Sequence, residues 1–347
     1  MSDAESALPP VDARYSRHCL LPEIGEAGQR RLLSARVTIA GCGALGALAA
    51  SHLARAGVGQ LRLVDRDFVD LGNLQRQALF DEDDVAQKLP KAEAARRKLA
   101  RINGSIHIEA IVGDIVQRNV ESLVEGASLV LDGTDNAETR YLLNDACLKH
   151  GIPWIYGGVM GTRGLVMGFT SREGPCLHCL YPQPPSPGSL PTCDTVGVLA
   201  TAPALVATLQ ATHALKLLVG EQLDGALWAV DPWRGTFERI EVARNPDCPA
   251  CARREFGFLH ARQTSSAARL CGRDMVQISP PEQSAPIDLE RLARALAGAV
   301  PVRSNGYLLE IRPGDREITV FADGRILVKG TTDETEARAL AARYIAS

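Results

Sequence analysis

Residues 36–46 read RVTIAGCGALG, and the next strand-like run, QLRLVD over residues 60–65, closes on an acid, Asp65. The first five residues form a short β-rich run, apolar at Val37, Ile39 and Ala40. Gly41, Gly43 and Gly46 follow at the spacing GxGxxG, and ALGALAASHLARAG then repeats alanine and leucine at helical intervals. A strand, a glycine loop and a helix in that order turn backbone N–H groups and the positive end of a helix toward a phosphate. An acid closing the second strand suits a ribose hydroxyl. The stretch predicts a nucleotide-binding βαβ unit. By itself it does not separate NAD, FAD and ATP.

The alternation continues outward. PKAEAARRKLARIN (90–103) reads as a helix, IHIEAIV and ASLVLDG as strands, AETRYLLNDACLKHG as a helix stopped by Gly151, and PWIYGG as a fifth strand. This order predicts an α/β fold, a doubly wound, Rossmann-like parallel sheet with helices on both faces. Past residue 160 the pattern changes. RGLVMGFT is strand-like, residues 196–220 form a long, nearly uncharged helix expected to be buried, and ALWAVDPWRGTFERIEVAR reads as a hairpin. The sheet is therefore expected to continue into antiparallel strands. Residues 1–12 are expected to be mobile, 13–252 to form the main domain and 253–268 a linker. Residues 269–347 read as a small α+β domain, an antiparallel sheet with two helices, whose PGD and ADG turns mark hairpins.

Bulk properties narrow the function. The chain has 347 residues, 46% of them hydrophobic and 23% charged, with a formal net charge of −3. That balance gives no reason to expect a nucleic-acid or membrane partner. The start, MSDAESALPPVDARYSR, is acidic and lacks the apolar core of a signal peptide. A cytosolic protein is expected, in which the nine cysteines are metal ligands, reactive thiols or core residues rather than disulfides.

The residues after Asp65 favour one nucleotide. RDFVDLGNLQRQ places Asn73, Arg76 and Gln77 just past a strand end, on the ligand side of such a sheet. Arg76 can hold a phosphate bidentately. Lys91 follows Pro90 at a helix N-terminus, where a cation opposes the helix dipole and calls for an anionic partner. Asp132 and Asp135 flank the turn DGTD after the fourth strand. A carboxylate beside a triphosphate implies magnesium, although either aspartate also suits an N-cap of the next helix. Ribose acid, arginine, lysine and metal carboxylate together describe an ATP site. A hydride-transfer enzyme with NAD or FAD, the competing reading, leaves Arg76, Lys91 and Asp135 without a role.

PCLHC and NPDCPAC set Cys176, Cys179, Cys248 and Cys251 in two CxxC pairs. Two such knuckles in a cytosolic protein predict a closed, structural zinc site. His178, between two of the ligands, reads as an exposed residue or a support to the site. Cys193 differs. It stands in a proline- and glycine-rich stretch expected to be flexible, near a helix N-terminus that lowers a thiol pKa, and reads as either a functional thiol or an incidental one.

RYSRHCLLPEIGEAGQRRL, GCGALG, DLGNLQRQ, PKAEAA, DGTDN, the two CxxC pairs and TCDTVGVL occur here in one order over residues 12–252. In this the chain resembles the MoeB/ThiF adenylyltransferases, bacterial relatives of ubiquitin-activating enzymes, and its C-terminal unit is similar to the tail of the longer ThiF-type members. The resemblance implies a homodimer that adenylates the C-terminal glycine of a small ubiquitin-like sulfur carrier ending in Gly-Gly. The adenylate then takes sulfur from a persulfide donor, a cysteine desulfurase or sulfurtransferase, as in thiamin thiazole formation. It also implies that Asp65 binds ribose, that Asn73, Arg76 and Lys91 hold phosphates, and that Asp135 organises magnesium. Arg17 would reach the ATP of the other protomer, and Cys193 would link covalently to the carrier or relay sulfur. The stretch AQKLPK departs from the family's shorter spacing and leaves Lys88 as an alternative to Lys91. A molybdopterin-synthase subunit is the alternative carrier.

Overall fold

The computed structural model describes residues 12–170, 174–186, 193–260, 275–278 and 286–345. Two sheets organise it. The first has eight strands: β1 (Arg36–Ala40), β2 (Gln60–Asp65), β3 (His107–Val112), β4 (Leu129–Asp132), β5 (Trp154–Met160), β6 (Arg163–Phe169), β7 (Leu227–Asp231) and β8 (Thr236–Ile240). Their order is β3-β2-β1-β4-β5-β6-β7-β8. The first five are parallel, and β6, β7 and β8 each pair antiparallel with the strand before. The chain runs outward from β1 to β3, then returns to place β4 on the other side of β1. That reversal is the topological switch point, where ligands bind at the carboxyl ends of the strands.

β1 lies at the centre because nothing in it past Arg36 needs water. Val37, Ile39 and Ala40 are wholly buried, and the hydroxyl of Thr38 donates to the Leu123 carbonyl. On one face the helices Gly46–Ala56, Lys91–Ile102 and Thr201–Val219 enclose Leu53, Leu61, Leu63, Leu99 and Val206. On the other, Val120–Val124 and Ala137–His150 enclose Tyr141, Leu142, Trp154 and Phe169. Each such aliphatic or aromatic side chain contributes about 1.5–3 kcal/mol relative to exposure. The helix Thr201–Val219 is long and apolar enough to cross a membrane by composition. Here it turns Ala202, Val206, Ala207, Ala211 and Ala214 into the core, and its Gln210 amide donates to the Asp132 carbonyl between the strands.

The second sheet has the order β10 (Val302–Ser304), β11 (Leu308–Ile311), β12 (Glu317–Phe321), β13 (Ile326–Lys329), β9 (Met275–Ile278), antiparallel throughout. Helices Leu289–Leu296 and Glu334–Ile345 accompany it, and Leu292, Leu296, Ile311, Val320 and Val328 fill its own core. The short β10 carries no periodic signal and is not foreseen from the sequence. Packing on the first unit continues past residue 253, where the linker is expected to begin. Phe258 is 1% exposed, stacks on Tyr141 at 5.0 Å, and its N–H donates to the Asp145 carboxylate at 3.0 Å. Residues up to at least 258 therefore belong to the first unit.

One of the links between the two units runs through a buried acid. Glu93, buried on the helix Lys91–Ile102, accepts from Arg96 and Arg97, and Arg97 also reaches the Tyr307 hydroxyl of the second unit. The hydrogen bonds from Arg96 and Arg97 hold the Glu93 carboxyl down at about 2. A depressed carboxyl stabilises the fold above its unfolded pKa, and the contribution is lost as pH falls through the folded value. Glu93→Gln should accordingly lower the urea midpoint at pH 7, and the gap from wild type should narrow between about pH 4.5 and pH 2. Equal midpoints at pH 7, or a gap independent of pH, would count against this role.

Candidate active site and metal centre

The loops after β1 and β4 meet backbone to backbone. Gly41 has φ +90°, and a Cβ there would lie 2.6 Å from the Gly133 carbonyl oxygen; one on Gly46 would lie 1.8 Å from the Gly41 oxygen. These glycines are required by packing. Gly43 is not. A Cβ on it would find no atom nearer than the Gln77 amide nitrogen, at 3.9 Å. The second glycine of the motif thus faces an open cradle. Gln77 is buried beside it, its amide nitrogen toward Gly43 and its Oε1 without a partner among the described residues. The chemistry of the cradle suits a nucleotide whose phosphates approach a bare backbone.

Asp65 sits at the end of β2. Its Oδ2 accepts the Cys42 N–H at 2.6 Å and its Oδ1 the Asp67 N–H at 2.7 Å. The acid expected to hold a ribose therefore also braces the glycine loop, and each carboxylate oxygen keeps a further lone pair. Burial raises the Asp65 carboxyl above its usual value, against the opposing pull of Lys91. Lys91 opens its helix and is buried, with Nζ 3.2 Å from the Asp67 carboxylate. Burial alone disfavours its charge, but Asp67, Asp65 and Asp135 outweigh that and raise its pKa. The anionic partner foreseen for this lysine is thus supplied in part by the protein. Asp67 was not singled out in the sequence; its only signal is its position two residues past the ribose acid. Lys88, the alternative, has its ammonium on Glu310 and Glu317 of the second sheet, not at the cradle.

Asn73 is buried in the turn Leu71–Asn73, and Arg76, half-buried, donates to the Gly72 carbonyl at 3.0 Å. The two aspartates of DGTD divide the work. Asp132 is wholly buried, accepts from Thr134 and pairs with Arg140 at 2.9 Å, so it holds the turn. Arg140, missed in the sequence, also donates to the Thr134 and Gly157 carbonyls, and its guanidinium lies over the Tyr156 ring. Asn136 supplies the N-cap of the following helix. Asp135, exposed and charged toward Lys91, Arg66 and Arg140, makes no hydrogen bond among the described residues. Its oxygens suit a hard divalent cation.

Arg17 is exposed on the helix Ser16–Cys19 and lies away from this crevice. Its neighbour Tyr15 sits against Gly57, and His18 bonds Gln29, whose amide donates to the Ala56 carbonyl. Those contacts fix it at the far end of the helix Gly46–Ala56, roughly 16 Å from the glycine loop. Cys193 begins the short helix Cys193–Val196, and its side chain lies outside the described residues, as do residues 187–192 before it.

The CxxC pairs converge. Cys176 and Cys248 are 3.6 Å apart at sulfur, Cys179 and Cys251 3.5 Å, and Cys176 and Cys179 4.0 Å. A tetrahedral Zn–S₄ site with bonds of about 2.3 Å requires roughly 3.8 Å between sulfurs. Burial and the three neighbouring sulfurs push the Cys176 thiol well up, so a cation is needed to hold four thiolates together. His178 is buried, not exposed, edge-on to Tyr141 and 3.6 Å from Asp145.

A family model described as "ThiF family" matches residues 15–250. The chain is 42% identical over 96% of its length to the Bacillus subtilis "Sulfur carrier protein ThiS adenylyltransferase", covering all of that protein. It is 45% identical over 69% of its length to the Haloferax volcanii "SAMP-activating enzyme E1", covering 88% of it. Among solved structures, Escherichia coli MccB superposes with a TM-score of 0.61 at 23% identity, over 70% of this chain and 75% of that one; this likeness concerns the fold.

Two outcomes separate packing from ligand. Gly43→Ala should keep its unfolding free energy within about 0.5 kcal/mol of wild type and lose ATP affinity about tenfold or more. Gly46→Ala should lose roughly 3 kcal/mol or more of stability. Calorimetric titration and urea melts measure both, and unchanged ATP affinity in Gly43→Ala would exclude the cradle. For the cysteines, elemental analysis should find one zinc per chain, with Cys248→Ser metal-free and less stable; zinc retained in that variant contradicts the cluster.

Proposed function

The chain belongs to the ThiF family, and from that premise we propose that it is an ATP-dependent adenylyltransferase acting on a small ubiquitin-like sulfur carrier of the ThiS kind that ends in Gly-Gly. The observation that carries this reading is the open cradle at Gly43, with Asp65 bonded to the glycine loop at Cys42 and the charges of Asp65 and Asp135 acting on Lys91. Identity with the Bacillus subtilis ThiS adenylyltransferase along 96% of the chain, its C-terminal unit included, favours a ThiS-like carrier over a molybdopterin-synthase subunit.

A carboxylate is a poor electrophile, and adenylation gives it a leaving group. An oxygen of the carrier's terminal carboxylate attacks the α-phosphorus of ATP. The bond from that phosphorus to the bridging oxygen breaks, and pyrophosphate leaves with the electron pair. The nucleophile belongs to the substrate, so the protein positions and neutralises. The loop at Gly43 lets the backbone approach the phosphates, and the free lone pairs of Asp65 take the ribose. Asn73, Arg76 and Lys91 hold phosphate oxygens, Lys91 exchanging part of its contact with Asp67 for them. Asp135 would hold magnesium, which when bound offsets charge on the leaving pyrophosphate.

The homodimer belongs to this proposal. Arg17, far from its own crevice, would complete the site of the other protomer. Cys193 acts after adenylation, linking to the carrier or relaying sulfur from a persulfide donor as AMP leaves. The four cysteines would hold zinc as a structural tie, with no part in the reaction. The cytosol supplies both the ATP and the reduced thiols that the scheme requires.

Carrier-dependent exchange of labelled pyrophosphate into ATP tests the assignment. One charge-assisted contact made in the transition state is worth roughly 3–4 kcal/mol, about two to three decades in rate. Arg76→Ala and Asp135→Ala should each lose about that much exchange while melting near wild type, and near-normal exchange in either would sink the assignment. Cys193→Ser should exchange normally and fail in thiocarboxylate formation. Stabilisation of the wild type by NAD but not by ATP with magnesium would revive the oxidoreductase reading.

A further inference from the structure

The second unit does not stand apart from the crevice. It grips both segments that carry the Asp67–Lys91 pair. On the Lys91 side, residues 86–90 form the turn between the helices Glu82–Ala86 and Lys91–Ile102. Asn305 donates from its amide to the Gln87 carbonyl at 3.1 Å and to the Lys88 carbonyl at 2.8 Å. Arg303 donates to the Ala86 carbonyl at 2.9 Å, and the Lys88 ammonium pairs with buried Glu310 and with Glu317. Lys88 has φ +50°, a left-handed conformation that a residue with a side chain adopts only when its surroundings impose it. On the Asp67 side, Arg325 donates to the Arg66 carbonyl at 3.2 Å, and the Phe68 ring packs on Leu308, Phe321 and Leu327. The two gripped segments also bond each other. Lys91 N–H donates to the Asp67 carbonyl at 2.8 Å, and Val69 N–H to the Leu89 carbonyl at 2.9 Å.

We propose that the C-terminal unit is a positioning clamp for the phosphate-binding lysine: Asn305, Arg303 and Glu310 impose the turn at 86–90, and that turn sets where Lys91 stands in the nucleotide crevice. The proposal rests on the reading that Lys91 holds ATP phosphates. None of the three residues touches the nucleotide. Each acts through the turn, and loosening it lets the lysine leave the position in which it meets a phosphate oxygen. The carrier's carboxylate does not depend on this turn, so the effect is confined to ATP.

The test uses the full-length chain with its carrier. Asn305→Ala removes the two hydrogen bonds its amide donates to the Gln87 and Lys88 carbonyls, together with the two its Oδ1 accepts from the Tyr307 and Leu308 N–H groups, and Glu310→Gln neutralises the buried partner of Lys88. Each should raise KM for ATP in pyrophosphate exchange about fivefold or more, with kcat and the carrier's KM within about twofold of wild type. Amide hydrogen exchange over residues 86–91 should speed up in both. A wild-type chain that shows no carrier-dependent exchange defeats the adenylyltransferase reading itself. A wild type that exchanges, beside variants whose ATP KM is unchanged, overturns the clamp alone. A role in stability only would also overturn it, showing as a lower melting temperature with kcat and KM for ATP unmoved. If Glu310→Gln does not fold, Asn305→Ala decides.

Discussion

The close approach of two backbones governs this molecule. Where the loop after β1 meets the loop after β4, no side chain fits. Gly41, Gly46 and Gly133 pack main chain against main chain, and a Cβ on any of them would meet another backbone atom at less than 3 Å. The contact brings the carboxyl ends of the two central parallel strands together at the point where the chain reverses its direction across the sheet. It also aims the N-terminus of the helix Gly46–Ala56 across the crevice. Gly43 is left without a neighbour on its open side, and Asp65, Lys91 and Asp135 stand at or close to a strand end or helix start.

The charges are held in place before any ligand arrives. Lys91 is at once buried and at a helix N-terminus, two positions hostile to a cation, and Asp67 makes both tolerable. Asp132 is buried with Arg140 as its counter-ion, and that arginine ties the turn after β4 to β5 through the Gly157 carbonyl. Such internal pairing supplies fixed dipoles and charges that need little rearrangement when a triphosphate enters. It also divides two aspartates of one motif into different parts: Asp132 is committed to the scaffold, and Asp135 remains available to a cation.

Much of this was legible in the chain. The strand–glycine–helix pattern, the alternation that follows and the paired cysteines are local signals, each read within a few residues because the physics behind each is local: a φ that favours glycine, a helix dipole, two thiols one turn apart. Asp67, Arg140 and Phe258 were not legible. Their roles depend on what stands opposite them in space. A charged residue two positions past Asp65, an arginine one turn into the helix Ala137–His150 and a phenylalanine in an apparent linker carry no pattern of their own. The same holds for Lys88, whose ammonium could be assigned to a phosphate or to nothing until Glu310 was found beside it, 222 residues further along the chain.

The amino-acid sequence alone determined the fold class, the glycine loop, the pairing of cysteines into two knuckles and the family, because periodicity, glycine spacing and motif order are properties of neighbours along the chain. Tertiary structure alone decided which glycines serve packing and which leaves room for a ligand, which of two lysines is tied to the second sheet, which of two aspartates is uncommitted, and where the C-terminal unit takes hold. Those are questions about distance between residues far apart in sequence. Burial, charge pairing and steric contact are settled only when the strands are laid side by side.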